Sequence, residues 1–299
     1  MWAQRLLSDS RVLFLIGVIA GFIFTGVASM LEPFLIWIGV VLMTATLMDV
    51  RLRDFHLQNW STIGSLLALN YVLLSGAYLA VAGLFDPPYM YAILFLAVMP
   101  PSIGIISMTH ILHGNDKMSF YTECVAYGVS LVGIPLAAWL FLGDTVSIWP
   151  VVRIVGLLLI LPVVLSRVLR RVLDQRFASL NSVVKPVFNV CYALSFFTVI
   201  GVNRDALLSN PWLVLSFAAV LAVIKFGFST AVHLGLRDRF RRPDDVDAVL
   251  FASFKNGGMA VIFVISVLGV GASLPLAVNS LLAPLHIVFI EYALLPVLR

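Results

Sequence analysis

The sequence predicts an all-α polytopic membrane protein of ten transmembrane helices, arranged as two inverted repeats of five helices each. Three observations lead to this prediction: the composition, the recurrence of long apolar segments, and the distribution of positive charge between them. Hydrophobic residues make up 61% of the 299 residues and charged residues 11%, and the mean hydropathy is +1.05. A soluble domain does not need this much apolar material to fill its core, so we expect an integral membrane protein.

Apolar segments long enough to cross a membrane recur along the whole chain. A helix needs about 20 residues to cross a hydrocarbon core of ~30 Å. We number the segments as spans 1 to 10, at residues 12–30, 33–49, 59–84, 89–112, 117–142, 147–169, 182–203, 211–236, 246–269 and 273–297. The first could instead be a signal peptide, because basic residues precede it and small residues follow, but its cleavage would leave an odd set of nine spans.

Lysine and arginine fall into alternate gaps between the spans, as expected when cytoplasmic loops collect positive charge. One side receives Arg5, Arg11, Arg51, Arg53, Lys117, Arg167, Arg170, Arg171, Arg176, Lys185, Arg237, Arg239, Arg241, Arg242 and Arg299. The other side receives Arg204, with Arg153 just inside its boundary. We therefore expect both termini in the cytoplasm, with the inner (cell) membrane of a bacterium as the location. The net charge of +4 follows from this topology and indicates no nucleic-acid partner.

The spans divide into halves, residues 1–143 and 144–299, which enter the membrane from opposite sides because each has an odd number of spans. The penultimate span of each half is interrupted, at Met99-Pro100-Pro101-Ser102 and at Lys255-Asn256-Gly257-Gly258, about 155 residues apart. A broken helix exposes backbone groups that must lie inside the protein or line a polar cavity. Spans 4 and 9 are therefore predicted to be broken and to form the binding site of a secondary transporter. A proline kink and a glycine packing notch are the alternative.

Four ionisable residues lie within the spans, where each costs at least ~2.5–3.5 kcal/mol at the membrane centre unless it is paired or hydrated. Lys255 is the strongest functional candidate because it adjoins the second break, and Glu123 lies one or two turns into span 5. Lys225 could extend its ammonium group to the cytoplasmic surface. Glu291 lies near the cytoplasmic end of span 10, where we expect it to be a residue of the membrane boundary. The two cysteines lie within spans, so no disulfide, metal site or cofactor is predicted.

Three patches of sequence carry a family resemblance. The first runs from Ala97-Val98-Met99-Pro100-Pro101-Ser102 through His113-Gly114-Asn115-Asp116 to Ser119 and Pro135. The second is Phe254-Lys255-Asn256-Gly257-Gly258-Met259-Ala260-Val261, running on to Leu274-Pro275-Leu276-Ala277, and the third is Leu47-Met48-Asp49-Val50-Arg51-Leu52-Arg53-Asp54-Phe55. These patches resemble the bile acid:sodium symporter family, within the bile acid/arsenite/riboflavin transporter superfamily.

The resemblance implies a definite architecture and activity. It implies ten helices, with a panel domain built from spans 1, 2, 6 and 7 and a core domain built from spans 3–5 and 8–10. In the core, the two broken helices cross near mid-membrane. Family members carry organic anions, such as bile acids or small carboxylates, usually with sodium. Alternating access moves the core against the panel, and substrate binds in the crevice beside the crossing.

The chain departs from the family at the sodium ligands. When the chain is aligned to the family without gaps on Pro100 and Gly114, the family's sodium-ligand positions at the first break fall on Ile105 and Ile106. Those of span 5 fall on Glu123 and Tyr127, and those of the second break fall on Phe251 and Lys255. Sodium needs several hard oxygen ligands, and an ammonium group supplies none. We therefore expect a divergent member that does not use the usual two-sodium coupling.

The resemblance implies that span 5 passes both breaks, so we expect Glu123 and Lys255 to form an internal ion pair in place of bound sodium. With a permanently charged Lys255 the carrier would be a facilitator or exchanger, whereas gain and loss of a proton during the cycle would make it proton coupled. The expected partners are an organic anion and membrane lipid, with H⁺ and Na⁺ as the candidate coupling ions. The predicted pathway comprises Pro100, Pro101, Ser102, Ile105, Ile106, Glu123, Tyr127, Phe251, Lys255, Asn256, Gly257 and Gly258.

Other functions fit the sequence less well. A cation/proton antiporter also uses broken helices and a lysine beside a carboxylate, but the paired acids often found at that crossing are missing. A non-transporting sensor normally carries an output domain, which these short loops do not provide. The thiol expected near the first break of an arsenite carrier is also missing. No metalloprotease helix, nucleophile elbow or phosphate-binding loop occurs, so the protein is not expected to be an enzyme.

Overall fold

The computed structural model describes residues 10–48, 60–143, 148–172, 177–236 and 242–295. Many of the predicted cytoplasmic arginines, and most of the patch that ends span 2, lie outside these residues. The described residues are almost entirely helical and contain no strand longer than a single bridge. Seven helical segments are long and apolar enough to cross a membrane, and three more apolar helices are shorter. The prediction of an all-α polytopic membrane protein is confirmed at this level.

The helices follow the predicted spans closely along most of the chain. In order they are α1 Ser10–Ile23, α2 Thr25–Leu31, α3 Leu35–Met48, α4 Trp60–Ala82, α5 Tyr89–Val98, α6 Gly104–Ile111, α7 Asp116–Leu142, α8 Trp149–Val172, α9 Phe177–Ser209, α10 Pro211–Gly235, α11 Arg242–Phe251, α12 Gly257–Leu268 and α13 Val270–Leu294. Spans 4 and 9 are each divided in two, as α5 with α6 and as α11 with α12.

The boundary between spans 1 and 2 differs from the prediction. The helical backbone breaks at Phe24, whose φ of −109° and ψ of 55° are not helical. Residues Thr25–Met48 then form one segment, in which α2 and α3 are joined by a 3₁₀ turn at Glu32–Phe34. Pro33 lies in the first turn of this 3₁₀ segment, where its missing N–H costs no helical hydrogen bond. The proline is therefore accommodated, and the break comes one to two turns earlier than expected.

Four helices lie side by side in the order α1, α9, α3, α8, which we call the four-helix layer. Helix α9 packs against both α1 and α3, and α3 packs against α8. Two glycines allow the closest approach in this layer. A Cβ atom on Gly17 would lie 2.6 Å from the carbonyl oxygen of Ala193, and one on Gly21 would lie 2.7 Å from that of Phe197. Helices α1 and α9 are therefore in backbone contact.

Helix α2 packs against α9, and helices α4 to α7 and α10 to α13 form a second body around the two divided spans. Helix α4 packs against α5 and α7, while α10 packs against α11 and α13. The two divided spans also contact each other, α5 with α12 and α6 with α11. Large apolar side chains are exposed on the outer surfaces, as a lipid-facing exterior requires, among them Met30, Val72, Val132, Trp149, Val172 and Trp212.

Candidate functional site

The first break separates α5 from α6 and follows from its two prolines. Met99 is extended, with φ of −61° and ψ of 150°. Pro100 disfavours helical geometry at the residue before it, and Pro101 has no N–H to continue the helical hydrogen bonds. Helical structure resumes at Gly104, whose N–H lies 3.4 Å from the Ser102 hydroxyl.

The second break separates α11 from α12, and Asn256 begins the new helix. Its Oδ1 accepts a hydrogen bond of 2.9 Å from the Met259 N–H, which is the usual action of an N-cap residue. Its Nδ2 donates to the phenol oxygen of Tyr127 at 2.8 Å, which links the break to α7. Gly257 leaves room for a neighbour, because a Cβ there would lie 2.6 Å from the Nδ2 of Asn279.

The two breaks meet. The backbone N–H of Asn256 donates to the Pro100 carbonyl at 2.8 Å, and Pro101 and Lys255 form an antiparallel bridge. We call residues 99–103 and 252–256 the crossing. Their meeting satisfies backbone groups that the interrupted helices leave unpaired, which a lipid environment could not do.

Lys255 extends from the crossing into a complete set of oxygen acceptors. Its ammonium group donates to Asn70 Oδ1 at 2.8 Å, to Ser75 Oγ at 2.9 Å and to the Met99 carbonyl at 3.0 Å. It also lies 4.6 Å from the ring centroid of Tyr71. An ammonium group has three donors, and here all three are used. Lys255 is buried and held as a monovalent cation would be held by protein oxygens.

Asn70 is the residue that joins this cation to the backbone of the crossing. Its Oδ1 accepts from Lys255, while its Nδ2 donates to the carbonyls of Phe251 at 2.8 Å and Phe254 at 3.1 Å. It lies in a π-helical turn, Leu69–Leu74, within α4, and its side chain is fully buried. Single π-turns inside α-helices occur often at functional sites. Our sequence analysis missed Asn70, although a lone amide within an apolar span was the available signal.

Ser75 ties the same cation to the first half of the crossing. Its hydroxyl is 2.9 Å from the Lys255 ammonium and 2.6 Å from the Ala97 carbonyl near the end of α5, to which it donates. The Lys255 ammonium thus contacts the end of α5 through Met99 directly and through Ser75 indirectly. One cation connects α4 with both divided spans.

The predicted ion pair between Glu123 and Lys255 is not formed in this structure. Among the described residues, neither carboxylate oxygen of Glu123 has a hydrogen-bond partner, and the side chain is buried. The donors of Lys255 are already occupied by Asn70, Ser75 and Met99. Two tyrosines connect α7 with this region instead. Tyr127 accepts from Asn256, and the Tyr71 hydroxyl donates to the Ala126 carbonyl at 2.9 Å.

A cavity of about 1020 Å³ lies between the four-helix layer and the crossing. From the predicted pathway it is lined by Ser102, Ile106, Lys255, Asn256, Gly257 and Gly258, whereas Pro100, Pro101, Ile105, Glu123, Tyr127 and Phe251 do not line it. From the layer it is lined by residues such as Leu35, Met43, Leu158, Phe188, Tyr192 and Phe196. Ile105 and Phe251 are fully buried in the second body, so these two are packing residues.

A second polar contact, away from the crossing, joins the start of α7 to α11. The Asn115 N–H donates to Asp247 Oδ1 at 3.2 Å, and its Nδ2 donates to Asp244 Oδ1 at the same distance. Its own Oδ1 accepts from the Met118 N–H and begins α7. Asp247 is fully buried. This cluster fixes the start of α7 against α11. No group of three His, Cys, Asp or Glu side chains in the described residues could hold a metal ion.

In comparisons with known proteins, no family model matches the chain, and no curated protein matches it. What can be said about function therefore depends on the sequence and on the geometry of the crossing and the cavity.

Proposed function

We propose that the protein is a secondary transporter of organic anions that works by alternating access, and that Lys255 serves as a fixed cation in place of bound sodium. The observation that carries this proposal is the set of three oxygen acceptors around the Lys255 ammonium, at the meeting of two broken helices. The three oxygens come from α4 and from the first break. A separate cation would have to compete with a tethered one for these ligands.

We further propose ten spans in two inverted repeats, residues 1–143 and 144–299. Two pairs of residues support equivalent halves, because Pro101 and Asn256 in the breaks, and Asn70 and Lys225 in π-helical turns, are each 155 positions apart. The order of the four-helix layer also supports them. If α1 corresponds to α8 and α3 to α9, replacing each helix of the layer by its counterpart gives the order α8, α3, α9, α1. This is the observed order read in reverse, as two equivalent halves require.

Alternating access fits the separation of the molecule into two bodies with a cavity between them. In this proposal the four-helix layer, with α2, is the panel domain, and α4 to α7 with α10 to α13 are the core domain. The cavity faces both bodies, so a movement of one against the other changes its access to either side of the membrane. Both termini are proposed to lie in the cytoplasm, and the cell membrane of a bacterium is the proposed location.

Transport itself can be tested with purified protein in liposomes. Labelled taurocholate and labelled pyruvate represent bile-acid-like anions and small carboxylates. We expect at least one of them to accumulate unaltered inside the vesicles, and to exchange against the same unlabelled anion on the other side. Recovery of a covalently altered product would favour an enzyme. Binding without exchange, for every anion of both classes, would favour a sensor and contradict the proposal.

Glu123 is the proposed site of proton coupling. A charged carboxylate with no hydrogen-bond partner in the interior costs several kcal/mol, so this position suits an acid that carries a proton through the membrane. In the native protein we expect an inward proton gradient to accelerate anion uptake. Glu123→Gln should retain exchange of labelled for unlabelled anion and lose the acceleration, because the amide cannot release a proton.

The matched control for this prediction is Glu291→Gln, which removes a carboxylate from the cavity wall near the end of α13. It should leave the effect of the proton gradient in place. Equal acceleration in native protein and Glu123→Gln would show that Glu123 does not carry the coupling proton. The carrier would then be a facilitator or would use another acid.

A further inference from the structure

Lys225 is a second buried lysine, and it lies at the cavity. It belongs to a π-helical turn, Val223–Gly227, in the middle of α10, and only 2% of its surface is exposed. Its ammonium group lies 5.5 Å from the ring centroid of Phe254, beside the second break. Lys225 and Phe254 both line the cavity of about 1020 Å³. The side chain therefore ends inside the molecule rather than at the cytoplasmic surface.

The two lysines differ in their partners. The Lys255 ammonium donates three hydrogen bonds. The Lys225 ammonium, in contrast, donates no hydrogen bond and forms no ion pair within the described residues. It makes a cation–π contact with the ring of Phe254. A cation–π contact offsets only part of the cost of removing an ammonium group from water. Lys225 is thus the positive charge at this cavity that the protein leaves uncompensated.

The acids of the cavity wall do not neutralise it. Asp116 is hydrogen bonded to His110 at 2.9 Å. Glu291 also lines the cavity and has an interaction of its own, and no ion pair between it and Lys225 is found among the described residues. A neutral amide is available nearby, because Asn279 lines the cavity and its Oδ1 has no partner among the described residues. Among the described residues, the cavity therefore offers one unpaired positive charge, that of Lys225.

We propose that Lys225 binds the negatively charged group of the substrate, and that the substrate is an organic monoanion with an apolar body. The charge requirement comes from the single uncompensated ammonium group. The apolar requirement comes from the opposite wall, where Leu35, Met43, Leu158, Phe188 and Phe196 of the four-helix layer face the cavity. This inference rests on the proposed transport function and names the substrate class of the same cavity.

The assignment also separates the roles of the two lysines. Lys255 has no donor left for a ligand, so its role is to hold the crossing together. Lys225 has all its donors available and lies where a ligand in the cavity would meet them. The two positions are in different spans, so each can be changed without altering the other residue.

Naphthalene-2-sulfonate and naphthalene-2-sulfonamide test the proposal, because they have nearly the same shape and only the sulfonate is charged. Their binding to purified protein can be measured by isothermal titration calorimetry. We expect the native protein to prefer the sulfonate, and Lys225→Met to bind it about tenfold or more weakly. The affinity for the sulfonamide should not fall. Lys225→Arg, which keeps the charge, should retain the preference.

The native protein and each variant give a decisive result. A native protein without preference for the sulfonate overturns the proposal, as does a Lys225→Met variant that keeps the native ratio of affinities. Lys225→Met should fold, because among the described residues no charged partner of Lys225 would be left buried and unpaired. Without ligand, the variant should unfold at a temperature no lower than that of the native protein. The proposed function fails separately. If the protein binds the anion through Lys225 but does not exchange it in liposomes, the proposed transport function is wrong and the proposed anion site at Lys225 is still supported.

Discussion

Asn70→Leu is expected to be the most destabilising single substitution at the crossing, by about 3–5 kcal/mol. Leucine has the same branching and the same number of side-chain heavy atoms as asparagine, so the outline of the side chain is largely kept, although its two methyl groups are bulkier. The substitution removes one acceptor from the Lys255 ammonium and the donor that serves the carbonyls of Phe251 and Phe254. A buried charge is left with fewer partners, and two carbonyls at the end of α11 lose theirs. Removing a partner from a buried charge costs more than removing a neutral hydrogen bond.

Thermal unfolding of purified protein in detergent measures this effect. Asn210→Leu is the matched control, because Asn210 is exposed and its side chain donates only to the neighbouring Ser209 hydroxyl. We expect the control to unfold close to the native temperature. If Asn70→Leu did so as well, the three hydrogen bonds of Asn70 would contribute little to the crossing.

Lys255→Met should destabilise the protein less than Asn70→Leu, by about 1–3 kcal/mol, although it removes three hydrogen bonds. The groups left behind, Asn70 Oδ1, Ser75 Oγ and the Met99 carbonyl, are all neutral. The Ser75 hydroxyl still donates to the Ala97 carbonyl. Transport should be lost even where the variant folds, because the cation that connects α4 with both breaks is missing.

The double variant Asn70→Leu and Lys255→Met makes this prediction sharper. Once the lysine is absent, Asn70→Leu no longer strands a charge, so the double variant should be less destabilised than the sum of the single variants. Lys225→Met is the control at the other buried lysine and should show no such coupling with Asn70→Leu. Additive effects of Asn70 and Lys255 would contradict the fixed-cation account.

The breaks could be predicted from the sequence because their causes are local. The consecutive prolines Pro100 and Pro101 remove helical N–H donors and disfavour helical geometry at the residue before them, and the run Asn256-Gly257-Gly258 supplies an N-cap and flexible backbone. Both breaks lie in the penultimate span of a half, and their separation of about 155 residues is close to the length of one half, so their meeting was a reasonable expectation. The boundary predicted between spans 1 and 2, at residues 31–32, differs from the structure, because a 3₁₀ turn continues the segment past Pro33 and the helical backbone breaks at Phe24.

The partners of Lys255 could not be predicted in the same way. Asn70 is 185 positions from Lys255 in the sequence, and it reaches the ammonium from a π-helical turn that hydropathy does not reveal. Glu123 was the predicted partner because the family resemblance implies that span 5 passes both breaks. The structure satisfies the lysine with neutral oxygens instead, and Glu123 has no hydrogen bond from the described residues. Charge alone was a poor guide to pairing, since amide, hydroxyl and carbonyl oxygens served equally well.

The central claim is that a tethered ammonium takes the place of a sodium ion at the crossing. The most direct test is anion exchange in liposomes with all Na⁺ replaced by N-methylglucamine on both sides, at constant pH, with the best transported of the labelled anions. We expect the native protein to exchange that anion at the same rate with and without Na⁺, since Lys255 already occupies the oxygen ligands. Exchange that stops when Na⁺ is removed would contradict the account.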